Sequence, residues 1–198
     1  PEVTYSLPAR QVANGVVDSF IHVVEQYLTY PVNAKVQDAF SEGLMKVIYE
    51  EGIKVLDHPH DYDIRANLMW AATNALNVWI GQGVPQDWSS HRMGYALTAQ
   101  FGLDHAQTLA ILLPGVMTYM FKEKQVKLAR MGEVVFGISE GTEEERARKT
   151  ITACEDFFRR MGLKTRLSEC GIKESDLDAL SAPVDKQGWH LGEHGFWG

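Results

Sequence analysis

The stretch Trp88–Pro114, WSSHRMGYALTAQFGLDHAQTLAILLP, decides how this chain is read. It carries two histidines, His91 and His105, fourteen positions apart. A helical run lies between them and ends in a Gly-Leu-Asp turn, Gly102 to Asp104, which restarts the backbone as a second apolar helix. Upstream, in GVVDSFIHVVEQY, Asp18 and His22 stand four apart, a spacing that puts both side chains on one helical face. One carboxylate and three imidazoles, offered from helices, make a tetrahedral ligand set for a divalent transition metal. The remainder reads as the scaffold that brings Asp18, His22, His91 and His105 together.

The chain of 198 residues allows one large domain or two small ones and is long enough for a sizeable core. With 45% hydrophobic and 23% charged residues it falls in the soluble globular class. A net charge of −7 argues against a nucleic-acid surface, which needs concentrated Lys and Arg. No apolar run reaches a membrane-spanning length, and PEVTYSLPAR lacks the charged-then-apolar layout of a signal peptide. Cys154 and Cys170 are too few for a disulfide framework and read as reduced thiols of a cytoplasmic protein.

Apolar periodicity predicts helices throughout. Pro8 suits a first helical turn, and Val12, Val16, Phe20, Val23, Val24 and Tyr27 follow at helical spacing to an end near Tyr30-Pro31. Asn33 is a candidate cap for a second helix holding Val36, Phe40, Leu44, Val47 and Ile48. Asp57 to Asp63 reads as a loop, and a third helix runs from about Asp63 to Ile80, stopped by Gly81, Gly83 and Pro85. Pro114 and Gly115 are expected to kink or split the helix after His105. Lys122 to Val135 is another amphipathic helix. Thr142 and Glu145 have capping-box spacing for a helix to Met161, ended by Gly162, and Ser175 opens a short helix to about Ala182. No period-2 run stands out. The expected architecture is an all-α bundle in one domain.

Each site residue also has a structural reading. Asp18 and His22 alone could be a helix-surface pair, and either of His91 and His105 alone reads equally as a core histidine. Asp18, however, is flanked by Val17, Phe20, Ile21 and Val24, so its carboxylate needs a partner other than bulk water. Asp104 reads as the N-cap of the helix that begins at His105. His58 and His60 sit in a Pro-containing loop, and His190 and His194 in an irregular tail. The dipeptide His60-Asp61 resembles the HD hydrolases, but that pair belongs on a helix and here lies beside Pro59 in a loop. No GxGxxG, P-loop or GxSxG motif is present. Met69, Trp70 and Trp79 read as core.

At these residues the chain resembles the iron-containing (group III) alcohol dehydrogenases, closest to their NADP-dependent aldehyde reductase and butanol dehydrogenase branch. The resemblance runs from LPARQVANGVVDSFIHVVEQY (Leu7 to Tyr27), through YDIRANLMWAATNALN (Tyr62 to Asn77) and VPQDWSSHRMGYALTAQFGLDHAQTLAILLP (Val84 to Pro114), to the region near Gly192. It implies a dehydroquinate synthase-like helical domain over residues 1–198, with Asp18, His22, His91 and His105 as metal ligands. Tyr95 stands where the family often has a further histidine facing the catalytic cleft, so Tyr95 joins His91 and His105 among the candidate catalytic residues. Family members begin with a nucleotide-binding domain bearing a GGGS-type motif, which these residues lack, and usually add a last helix beyond GWHLGEHGFWG. The expectation is therefore a C-terminal, metal-binding half.

In the whole enzyme the resemblance implies hydride transfer between NADP or NAD and a small alcohol/aldehyde pair. Fe²⁺ or Zn²⁺ would polarise the substrate oxygen. The partners implied are that substrate and a homo-oligomer or a nucleotide-binding domain, with no nucleic acid and no membrane. Two other readings remain open at this point: a non-catalytic metal-binding or interaction module, and a metal-dependent hydrolase using the same ligands.

Overall fold

The structure, a computed structural model, describes residues 1–186, 188, 191 and 192. Eight α-helices are found among them: α1 (Ala9–Tyr27), α2 (Lys35–Val55), α3 (Tyr62–Ala75), α4 (Ser89–Phe101), α5 (His105–Tyr119), α6 (Phe121–Phe136), α7 (Glu143–Arg160) and α8 (Leu177–Lys186). Short 3₁₀ turns complete the regular structure, and no strand occurs among the described residues. The all-α expectation is met.

Helix α1 is the central strut. It packs against α2, α3 and α5, and Val17, Phe20, Ile21, Val23 and Val24 are fully buried. Phe20 meets Phe157 edge to face at 5.2 Å, which ties α1 to α7 inside the main core. A helix buried around most of its girth can carry polar groups only where they find partners, and α1 carries Asp18, His22, Glu25 and Gln26. Gln26 donates to the carbonyls of His22 and Ala75.

Helices α4 and α5 are the two helices, joined at Gly102–Asp104, that the quoted stretch predicts. Gly102 closes α4 in the left-handed conformation, φ 64°, with its N–H on the Thr98 carbonyl. Gly94 lets the two helices approach closely, because a Cβ there would sit 2.6 Å from Thr108 Oγ1. The capping box of α7 is present: Glu145 N–H donates to Thr142 Oγ1 at 3.2 Å, and Thr142 N–H to Glu145 Oε2 at 2.7 Å.

Several expectations are corrected. Ala34, not Asn33, stands at the N-cap of α2, and Asn33 itself is left-handed at φ 57°. Helix α3 stops at Ala75 rather than near Ile80. Asn77 Oδ1 takes the Trp79 N–H, and Val78 turns left-handed at φ 65°, so the side-chain amide competes with the helix. Pro114 does not split α5, which continues to Tyr119; the break falls at Met120. Met69, Trp70 and Trp79 are not core: they are 43%, 70% and 58% exposed. Ile64, Arg65, Ala71 and Ala75 make the buried face of α3, and Met69 and Trp70 lie off that face. Both cysteines are free, with Cys154 buried and Cys170 half-buried.

Candidate metal centre

Asp18 and His22 project from one face of α1, His91 from the first turn of α4, and His105 from the first residue of α5. One ligand atom from each of the four lies within 4.8 Å of the others. Asp18 Oδ1 is 3.5 Å from His22 Nε2, 3.8 Å from His91 Nε2 and 3.6 Å from His105 Nε2. The Nε2 atoms of His22 and His91 are 3.2 Å apart. An ion holding four ligands tetrahedrally at about 2.0–2.2 Å keeps them roughly 3.3–3.6 Å from one another. The cluster therefore has the dimensions of a first coordination sphere.

The polar bookkeeping agrees. Asp18 Oδ1 is buried and accepts no hydrogen bond, although its side chain is one-third exposed overall. A buried carboxylate oxygen facing three imidazole nitrogens has no partner of its own unless a cation joins them. His22 Nδ1 is likewise buried and unpartnered. Burial holds His22 and His91 down at about 4, and for each a neighbouring imidazole pushes the same way. Both rings are thus neutral at pH 7, the form that ligates a metal.

Around these residues lies a shell that the spacing of the four did not disclose. Trp88 stands edge-on to the rings of His22 and His91 at 5.4 and 5.1 Å. Tyr95 stacks on His105, 14° from parallel with centroids 6.2 Å apart, and is more than half exposed. Glu25 is buried, receives the Ser90 N–H at 2.6 Å and touches His91 Nδ1. Burial pushes its carboxyl up to about 8. Lys124 on α6 pairs with Asp87 at 2.9 Å, both inside the protein, and also donates to the Leu28 carbonyl. Glu25 was available to sequence reasoning: it falls three after His22 and seven after Asp18, on the same face of α1.

Asp104 does stand at the N-cap of α5, but its side chain does not cap it. It accepts from Asn14 Nδ2 at 2.9 Å and faces Arg10 at 3.4 Å, fastening the α4–α5 turn to α1. His58 and His60 are exposed between α2 and α3, off the cluster, with His60 against Tyr5. His190 and His194 lie outside the described residues.

Comparison with known proteins agrees with this geometry. Residues 12–190 match the family model for the C-terminal domain of Fe-containing alcohol dehydrogenases. The chain is 51% identical over 195 residues to the NADPH-dependent aldehyde reductase YqhD of Escherichia coli, covering 98% of this chain and 50% of that protein. It is 41% identical to the NADP-dependent alcohol dehydrogenase 3 of Entamoeba histolytica, over 91% of this chain and 46% of that one. The solved substrate- and cofactor-free form of the E. coli reductase superimposes with a TM-score of 0.95 at 50% identity, covering 98% of this chain and 51% of that one. The NADH-dependent butanol dehydrogenase A of Thermotoga maritima gives 0.89 at 31% identity, over 94% and 46%. The chain spans about half the length of the relatives it matches. With this helical fold, this cluster and this extent of identity, the chain belongs to the iron-containing alcohol dehydrogenase family, in its C-terminal, metal-binding part.

Proposed function

We propose that residues 1–198 form one domain that supplies the metal centre of an NAD(P)-dependent alcohol dehydrogenase or aldehyde reductase acting on small alcohols and aldehydes. The observation that carries the reading is the convergence of Asp18, His22, His91 and His105, with Asp18 Oδ1 buried and unpartnered at their centre. These four would hold Fe²⁺ or Zn²⁺. When bound, the ion supplies Lewis acidity toward a substrate oxygen. The side chains divide the remaining work. Asp18 brings the one negative charge of the set, so a divalent ion keeps net positive charge for a developing oxyanion. His22 and His91, largely shielded from water, would hold the ion from within the protein, and His105, 38% exposed, would hold it from the solvent-facing edge. Tyr95, stacked on His105, lies where it would border the substrate and present a phenol to it.

The nicotinamide, NADP or NAD, would be held by a nucleotide-binding domain, and the sequence carries no Gly-rich dinucleotide turn. Hydride transfer needs donor and acceptor carbons held about 3–3.5 Å apart. These 198 residues by themselves are therefore expected to bind metal without turning over alcohols. A cytoplasmic location and assembly with a further copy or with that domain belong to the same proposal. Among the described residues no helix is long and apolar enough to cross a membrane.

The test combines metal binding with an absorbance assay at 340 nm on butanol and butyraldehyde. The chain should bind Zn²⁺ with loss of binding in His105→Ala, show no turnover alone, and gain turnover when a nucleotide-binding half of the family is added. Absence of metal binding would overturn the reading. Phosphatase or esterase turnover without nicotinamide would favour the hydrolase.

A further inference from the structure

We propose that Glu25 is a positioning residue of the metal centre: its carboxylate accepts a hydrogen bond from the Nδ1–H of His91 and so presents the Nε2 lone pair of that ring to the ion. The inference rests on the metal-centre reading above and goes beyond its four ligands.

Glu25 is 3% exposed, on the buried face of α1 one turn beyond His22. Its two oxygens have distinct partners. Oε1 receives the Ser90 N–H at 2.6 Å, and Oε2 meets His91 Nδ1. A neutral imidazole has one N–H and one lone pair, and a carboxylate drawn to its ionised form by a cation beside it can only accept. With the carboxylate at Nδ1, the proton belongs at Nδ1 and the lone pair at Nε2. That atom is the one lying 3.2 Å from His22 Nε2 and 3.8 Å from Asp18 Oδ1. The opposite tautomer would aim an N–H into the cluster and close one of its four positions. Metal-ligating histidines commonly give their other N–H to such a carboxylate, which fixes both tautomer and ring orientation.

The surroundings make the placement rigid. The Asp87 N–H donates to the Glu25 carbonyl at 3.0 Å. Asp87 in turn accepts the Ser89 N–H at 3.0 Å and pairs with buried Lys124 at 2.9 Å. The segment from Asp87 to His91 is thus fastened to Glu25 through both its backbone and its carboxylate, and through Asp87 to α6. Four ligands reach the centre from three helices, and Glu25 links two of those helices directly beside it. A purely structural account would have Glu25 only capping the N-terminus of α4 through Ser90. The glutamine isostere separates the two: its carbonyl can still accept from Ser90, but it removes the negative charge and sets an amide donor beside His91.

The experiment has two arms. In the first, Zn²⁺ affinity is measured by chelator competition for wild type, Glu25→Gln, His105→Ala and Leu128→Ala, with far-ultraviolet circular dichroism and thermal midpoints for each. Leu128 is a fully buried α6 residue that serves as a stability control. Glu25→Gln should weaken Zn²⁺ binding by about 10- to 100-fold while remaining helical, with Leu128→Ala staying within about threefold of wild type despite a lower midpoint. In the second arm, ¹⁵N-resolved NMR of the histidine rings reads the tautomer of His91 in the wild-type chain with Zn²⁺ bound. It should be the Nδ1–H form. A folded Glu25→Gln that binds within about threefold of wild type overturns the proposal; so does an Nε2–H tautomer, which decides even if the variant does not fold. Wild type that binds no Zn²⁺ defeats the metal-centre reading itself. Wild type that binds, with His105→Ala abolishing binding and Glu25→Gln leaving it intact, defeats this inference alone.

Discussion

His22 and His91 have lost their ordinary basicity to burial, each held at about 4 where the free side chain titrates at 6.5. The unfolded chain therefore binds more protons than the folded one between those values. Stability that depends on these neutral rings is fully present above pH 6.5 and is lost as pH falls toward 4. Glu25 works in the opposite sense: its carboxyl, raised from 4.5 to about 8, contributes in full below 4.5, and that contribution is lost as pH rises through 8. Below pH 6.5 two imidazoles outweigh one carboxyl. The thermal midpoint of the metal-free chain should accordingly fall between pH 6.5 and 4.5, and His22→Asn should flatten the fall. Melting curves in chelator across that range check it, and a midpoint that holds steady or rises would contradict the burial of the two rings. The ligand types were legible in the sequence because Asp18 and His22 share a helical face. Glu25 was not singled out because its partners, Ser90 and His91, lie more than sixty positions away.

At the scale of elements, convergence of the four donors depends on how closely α4 approaches α5. Gly94 faces Thr108, whose hydroxyl is engaged by the His105 carbonyl at 2.7 Å. A Cβ at position 94 would stand 2.6 Å from Thr108 Oγ1, 3.4 Å from its Cβ and 3.5 Å from Leu109 Cδ2. Threonine is stiff at χ1, so the backbone would have to yield. Gly94→Ala should destabilise the chain by about 1–3 kcal/mol through overpacking, despite the better helix propensity of alanine. It should also weaken Zn²⁺ binding, since His91 lies one turn before Gly94 and His105 one turn before Thr108. Chemical denaturation and metal titration of the variant test both. Unchanged values in both would mean that the contact is slack. Most helices were legible from apolar period, and the capping box of α7 and the glycine turn after α4 from side-chain chemistry. The end of α3 was not, because Asn77 and Val78 redirect the backbone inside an otherwise helical pattern. Nor does period alone tell which of two apolar faces is covered. Val36 and Phe40 on α2 are 63% and 45% exposed, whereas Met45 and Ile48 on the same helix are fully buried.

For the whole molecule that distinction leaves an apolar surface in water. Phe40 of α2 meets Trp79 edge to face at 5.8 Å, with Trp79 58% exposed and Leu76 and Val78 of the same loop 57% and 65% exposed. Trp70 and Met69 add exposed bulk on the neighbouring α3. Gln37 donates to the Gln82 carbonyl at 2.7 Å, holding the loop against α2, so the Phe40–Trp79 contact is braced rather than frayed. Isolated exposed apolar residues are ordinary, but Phe40 and Trp79 are in ring contact with Leu76 and Val78 exposed in the same loop, which goes beyond scattered single residues. A domain packing against another within one enzyme commonly buries about 600–1,500 Å², which needs a surface of this kind. When these 198 residues are studied by themselves, the face is expected to drive self-association. Sedimentation velocity over a concentration series should show a rising weight-average coefficient, and an apolar fluorescent dye should bind the native chain. The double variant Phe40→Ser, Trp79→Ser should reduce both, with Zn²⁺ affinity unchanged because neither residue belongs to the metal cluster. A wild-type chain that stays monomeric at high concentration without binding dye would show that the exposed aromatics are too dispersed to act as one surface.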